Sequence, residues 1–61
     1  MPVVTVNILA GKTLEQKRSL AKALTKAVVD AIDVLPEHVT VTIREDSPEN
    51  VAVGGVQLCD R

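Results

Sequence analysis

Sixty-one residues are enough for one small domain, which buries only about 60% of the surface its unfolded chain exposes. The chain has no Phe, Tyr or Trp and a single cysteine, which excludes a ring-packed core and an internal disulfide. The formal net charge of −1 argues against nucleic acid as a general partner, and no run is long enough for a membrane span. No metal-ligand cluster or signal-peptide pattern is visible. An unpaired Cys59 without an export signal predicts a reducing, cytoplasmic setting. Yet 46% of the residues are hydrophobic. Small domains lacking disulfides and metal close such surface by associating with further copies.

The first stretch, Met1-Pro2-Val3-Val4-Thr5-Val6-Asn7-Ile8-Leu9, is apolar and β-branched and predicts a strand. Pro2 stands at its head, where a sheet needs no donor. Removal of Met1, usual before a small residue, would leave the Pro2 nitrogen as a free secondary amine. A free α-amino group titrates near ~7.7–8.0, so modest burial makes it a base at neutral pH. The alternative is that Met-Pro has no chemical role.

Gly11 marks a turn after this strand. Thr13-Leu14-Glu15-Gln16 fits a capping box, so a helix should start at Leu14. Leu20, Leu24, Ala27, Val28 and Ala31 recur at helical spacing and predict one apolar face. Ala21, Ala23, Val29 and Ile32 widen that face beyond what one dry side requires. A neighbouring subunit could cover the surplus. Arg18, Lys22 and Lys26 form a basic column, read either as an anion-binding stripe or as a solvated face flanked by Glu15 and Asp30.

Pro36 disfavours helical geometry at Leu35, so the helix should end near Asp33. Pro36-Glu37-His38 reads as a short turn. His38, the only histidine, has no second ligand or nucleophile at a recognisable spacing and reads as a turn residue. Val39 to Glu45 alternates, with Val39, Val41 and Ile43 on one face and Thr40, Thr42 and Arg44 on the other. Strand, helix, strand predicts a right-handed unit with parallel strands. The helix should cover the face of Val4, Val6 and Ile8. The opposite face, with Val3, Thr5, Thr40 and Thr42, has no cover within the chain, a second argument for self-association.

Asp46 to Asn50 is a polar turn, and the short runs around Gly54-Gly55 predict a hairpin. Cys59-Asp60-Arg61 reads as a polar tail without order of its own. The predicted fold class is therefore α/β (α+β). One domain, residues 1–61, forms a β-α-β subunit with parallel strands and a short C-terminal β-hairpin.

The N-terminal Met-Pro strand, the Gly11-Lys12-Thr13 turn with Glu15-Gln16-Lys17-Arg18, and Asn50-Val51-Ala52-Val53-Gly54-Gly55 together resemble the short-chain 4-oxalocrotonate tautomerase family. The resemblance covers essentially the whole chain. It implies an isomerase without cofactor that performs keto–enol or dienol tautomerisation of a small 2-oxo or 2-hydroxy acid. It also implies a homo-oligomer, a hexamer built as a trimer of dimers.

By that resemblance Pro2 is the general base. Lys12 falls at an arginine that holds the substrate carboxylate; it keeps the charge but loses the bidentate fork. Thr40 falls at the arginine that polarises the carbonyl, and Val51 at an aromatic ring that shields the proline. Arg44 shares a face with Thr40 but stands about 13 Å away along the strand. Only another subunit's Arg44 or Arg61 could replace the missing arginine. The expected activity on the family's dicarboxylate substrate is therefore weak or redirected. The rival readings are a non-catalytic or weakly promiscuous oligomeric member, and a small anion-binding module using the basic column.

Overall fold

The computed structural model describes all 61 residues. Strand β1 runs Val3–Leu9 with strict alternation of exposed and half-buried residues. Val4, Val6 and Ile8 turn inward and Val3, Thr5, Asn7 and Leu9 outward, as a period of two requires. Gly11, at φ 119°, takes the turn that follows, a conformation with little cost only for glycine.

Helix α1, Leu14–Ile32, begins at the expected capping box. The Gln16 amide donates to Thr13 Oγ1 at 3.1 Å, and the Thr13 amide donates to Gln16 Oε1 at 2.9 Å. Two otherwise orphaned donors are thus satisfied. The helix stops at Asp33, which adopts a left-handed conformation at φ 57° and donates its amide to the Val29 carbonyl at 3.0 Å. A short polar side chain tolerates this conformation better than a branched one. Leu35 is extended before Pro36, and Pro36–His38 forms a 3₁₀ turn.

Strand β2, Thr40–Asp46, pairs parallel with β1 in the register Val3 with Thr40 through Leu9 with Asp46. The helix lies against this sheet through half-buried Leu20, Leu24 and Val28, with Ala21, Thr25 and Val29 beside them. Lys17 joins helix to sheet by an ion pair with Glu45 at 2.6 Å; such partly exposed pairs contribute about 0–1 kcal/mol. Ala27 and Ala31, expected on the sheet-facing side, are exposed, as are Ala23 and Ile32. A helix on a two-stranded sheet has room for one stripe, and the second apolar stripe faces outward.

Strands β3, Ala52–Val53, and β4, Val56–Gln57, form the antiparallel hairpin. Gly54 and Gly55, at φ 62° and 83°, supply the two positive φ values that a tight hairpin turn demands. The tail departs from the sequence expectation. Leu58–Asp60 forms a 3₁₀ turn, the Leu58 amide donates to the Val51 carbonyl at 2.9 Å, and the Arg61 guanidinium donates to the Val53 carbonyl at 2.6 Å. Main-chain acceptors left open by so short a hairpin hold the C-terminus in place.

None of the 61 residues is buried. The surface of 4632 Å² exceeds the roughly 3,800 Å² of a folded monomer of this mass. The radius of gyration of 14.6 Å exceeds the about 10.5 Å of a compact chain of this length. Extents of 43 × 24 × 14 Å describe a flat, elongated subunit. The sheet face of Val3, Thr5, Thr40 and Thr42 is exposed, and both sheet edges are unpaired. A two-stranded sheet is marginal by itself.

Candidate active site

Pro2 is half-buried at the head of β1. Its carbonyl accepts the Thr40 amide at 3.0 Å, which carries the parallel ladder one step past the strand. Pro2 lines an open cavity of about 410 Å³ with Met1, Val34, Glu37 and His38. Met1 is 89% exposed, and its sulfur lies 4.0 Å from the Thr40 hydroxyl.

The chain brings Pro2 and Thr40 together but not Lys12 or Val51. Lys12 is exposed beyond the opposite end of β1, separated from Pro2 by a strand of about 20 Å. Its side chain makes no hydrogen bond or ion pair within the chain. Val51 lies past the turn that follows the far end of β2. The Ala10 amide bonds the Asp46 carbonyl at 2.9 Å and closes that far end of the sheet. Arg44 stands opposite Asn7 in the register, on the exposed face. Arg61 is engaged by the hairpin.

Two polar residues absent from the sequence-derived site line the cavity with Pro2: Glu37 and His38. Their signal was indirect. In a parallel pair, the turn entering the second strand necessarily lies beside the head of the first.

The basic column is largely paired. Arg18 bonds Glu15, and Lys26 bonds Asp30 at 2.6 Å, leaving Lys22 without a carboxylate. Asp30 holds the Lys26 ammonium above its ordinary value through the hydrogen bond and its charge. These pairings favour a solvated face over an anion-binding stripe. No group of three or more His, Cys, Asp or Glu side chains converges as a metal site would. No helix is long and apolar enough to cross a membrane.

Comparison with known proteins bears on this arrangement. Residues 2–61 match the family model described as tautomerase enzyme. The chain is 44% identical over 61 residues to a probable tautomerase of Bacillus cereus, covering 100% of both. It is 42% identical over 60 residues to the 2-hydroxymuconate tautomerase of Bacillus subtilis, covering 98% of this chain and 97% of that one. A heterohexameric 4-oxalocrotonate tautomerase from Chloroflexus aurantiacus superposes with a TM-score of 0.91 at 35% identity, covering 98% and 97% of the two chains. With residues 2–61 matched by that model and relatives aligned over the whole chain, this chain belongs to the tautomerase family.

Proposed function

We propose that this protein is a cofactor-independent tautomerase acting on a small 2-oxo or 2-hydroxy acid, with Pro2 as general base after removal of Met1. The observation that carries the reading is the placement of Pro2. It is held by the Thr40 hydrogen bond, half-buried, at the wall of an open cavity. A neutral amine there takes a proton from a hydroxyl or from a carbon α to a carbonyl. It returns that proton at another position of the conjugated system. Partial burial disfavours its charged form and keeps it basic near neutrality. With Met1 in place the Pro2 nitrogen is a tertiary amide and has no such basicity.

The working unit in this reading is a homo-oligomer, a hexamer arranged as a trimer of dimers, from a cytoplasmic protein. The exposed sheet face, the second apolar stripe of α1 and the absence of any buried residue support association. The Chloroflexus relative is itself a heterohexamer. Lys12 and Val51 would reach Pro2 from another copy, Lys12 as the point charge on the substrate carboxylate and Val51 as an apolar wall. A second reading, an oligomeric member with weak or lost chemistry, is favoured by neutral Thr40 and ringless Val51. The experiment that decides is intact mass of the purified protein together with a panel of enol and dienol acids, 2-hydroxymuconate among them. Turnover by protein lacking Met1 supports the enzyme; no turnover of any member supports the second reading.

A further inference from the structure

Tautomerisation leaves negative charge on an oxygen while the base holds the proton, and that oxygen needs a donor. Near Pro2 this chain supplies few. Thr40 offers a single hydroxyl, whose 4.0 Å contact with the Met1 sulfur is lost when Met1 departs. Lys12 lies at the other end of the sheet, and Arg61 is spent on the hairpin. His38 lines the cavity with Pro2, is exposed, and uses neither ring nitrogen in a hydrogen bond or ion pair within the chain. Its position is stiff. The 3₁₀ turn is closed by the His38 amide on the Leu35 carbonyl at 3.0 Å and the Val39 amide on the Pro36 carbonyl at 3.1 Å. Val39 leads directly into Thr40, which is bonded to Pro2. Strand, turn and proline are therefore one rigid frame.

We propose that His38 contacts the substrate, its imidazole N–H donating to the oxygen that carries negative charge while Pro2 holds the proton. This inference rests on Pro2 being the base. No proton passes to His38: Pro2 takes it from one substrate atom and returns it to another. Glu37, on the same turn, adds a carboxylate to the cavity wall.

The test measures kcat and KM for 2-hydroxymuconate with four proteins: processed wild type, His38→Leu, His38→Gln, and a chain that retains Met1. Oligomer size and far-UV circular dichroism confirm that each is folded. The expected result is that His38→Leu lowers kcat by on the order of 10- to 100-fold with little change in KM, as loss of a transition-state donor does. His38→Gln, which keeps an N–H donor, recovers most of that rate, and the Met1-retaining chain is inactive. Wild-type kcat in His38→Leu, with the Met1-retaining chain inactive, overturns the role of His38 and leaves Pro2 standing. Wild-type turnover by the Met1-retaining chain overturns both. If His38→Leu fails to assemble, the imidazole signals of wild type decide, since His38 is the only histidine. They shift on addition of the equilibrated 2-hydroxymuconate mixture if it binds there, and unmoved signals overturn the proposal.

Discussion

The Thr40 amide donates to the Pro2 carbonyl at 3.0 Å, one step beyond the paired residues Val3 and Thr40. That bond converts a flexible chain end into part of the sheet. A general base must be held within about 0.5 Å of its productive position, and for the proposed base the backbone of β2 supplies that restraint. Pro2→Ala, if still processed, leaves a primary amine on a looser backbone and should lose about 10- to 100-fold in kcat/KM through misplacement. Acylation of the N-terminus should abolish activity and leave the oligomer intact, which sedimentation can verify.

The pH profile of kcat/KM should rise through one ionisation below the ~7.7–8.0 of a free α-amino group. In the proposed assembly, partial burial of Pro2 and a neighbouring copy's Lys12 would both disfavour the protonated amine, so the base form would persist to lower pH. Glu37 acts in the opposite sense, because a carboxylate stabilises the ammonium. Glu37→Gln should therefore move the rising limb to lower pH, and an unmoved or raised limb would mean that Glu37 does not sense the amine.

Lys12 is predicted to act as a point charge supplied by another copy. Lys12→Ala should raise KM and lower kcat/KM by about 10- to 100-fold, the range of a charged hydrogen bond. Lys12→Arg should hold or improve both constants through bidentate geometry. Mixing Lys12→Ala subunits with Pro2-blocked subunits should restore some sites if the two residues come from different copies. No recovery in re-formed hybrids would place them otherwise.

No stable monomer is expected, because the isolated subunit exposes Val3, Ile32, Leu35, Val53 and Val56 at 45% or more. Sedimentation at micromolar concentration should give a species several-fold heavier than 6.5 kDa. A folded monomer there would sink the idea. Interference optics are needed, since the chain contains no Trp or Tyr.

The capping box is the most local prediction. Thr13→Ala removes the acceptor for the Gln16 amide and should cost about 1 kcal/mol. For so small a domain that lowers Tm by roughly 4–8 °C, read at fixed protein concentration because assembly contributes to stability. Thr13→Ser should be nearly neutral.

The features legible in the sequence were those set by neighbours along the chain. Thr13 and Gln16 announced the start of α1, Pro36 its end, and Gly54-Gly55 the hairpin, because caps and turns involve residues a few positions apart. The alternation in β1 and β2 likewise assigned their faces correctly. Periodicity located the apolar residues of α1 and their surplus over one dry side, but not which of them lie on the sheet: Ala27 and Ala31 are exposed, while Ala21 and Val29 are half-buried beside Leu20, Leu24 and Val28. Order in the tail was missed because Arg61 finds its acceptor, the Val53 carbonyl, across a turn whose closure no local pattern specifies.

By itself the sequence determined the elements and their order, since these follow from periodicity and capping, and it offered Pro2 as a candidate base through the family resemblance. Only the tertiary structure decided what surrounds that base. Parallel pairing carried the head of β2 beside Pro2 and brought Glu37 and His38 with it, residues far away along the chain. The same pairing stretched β1 to its full length between Pro2 and Lys12. Strand geometry is rigid at about 3.3 Å per residue, so no side chain of this subunit can close that gap. The proline and the lysine can share one site only when a second copy supplies one of them.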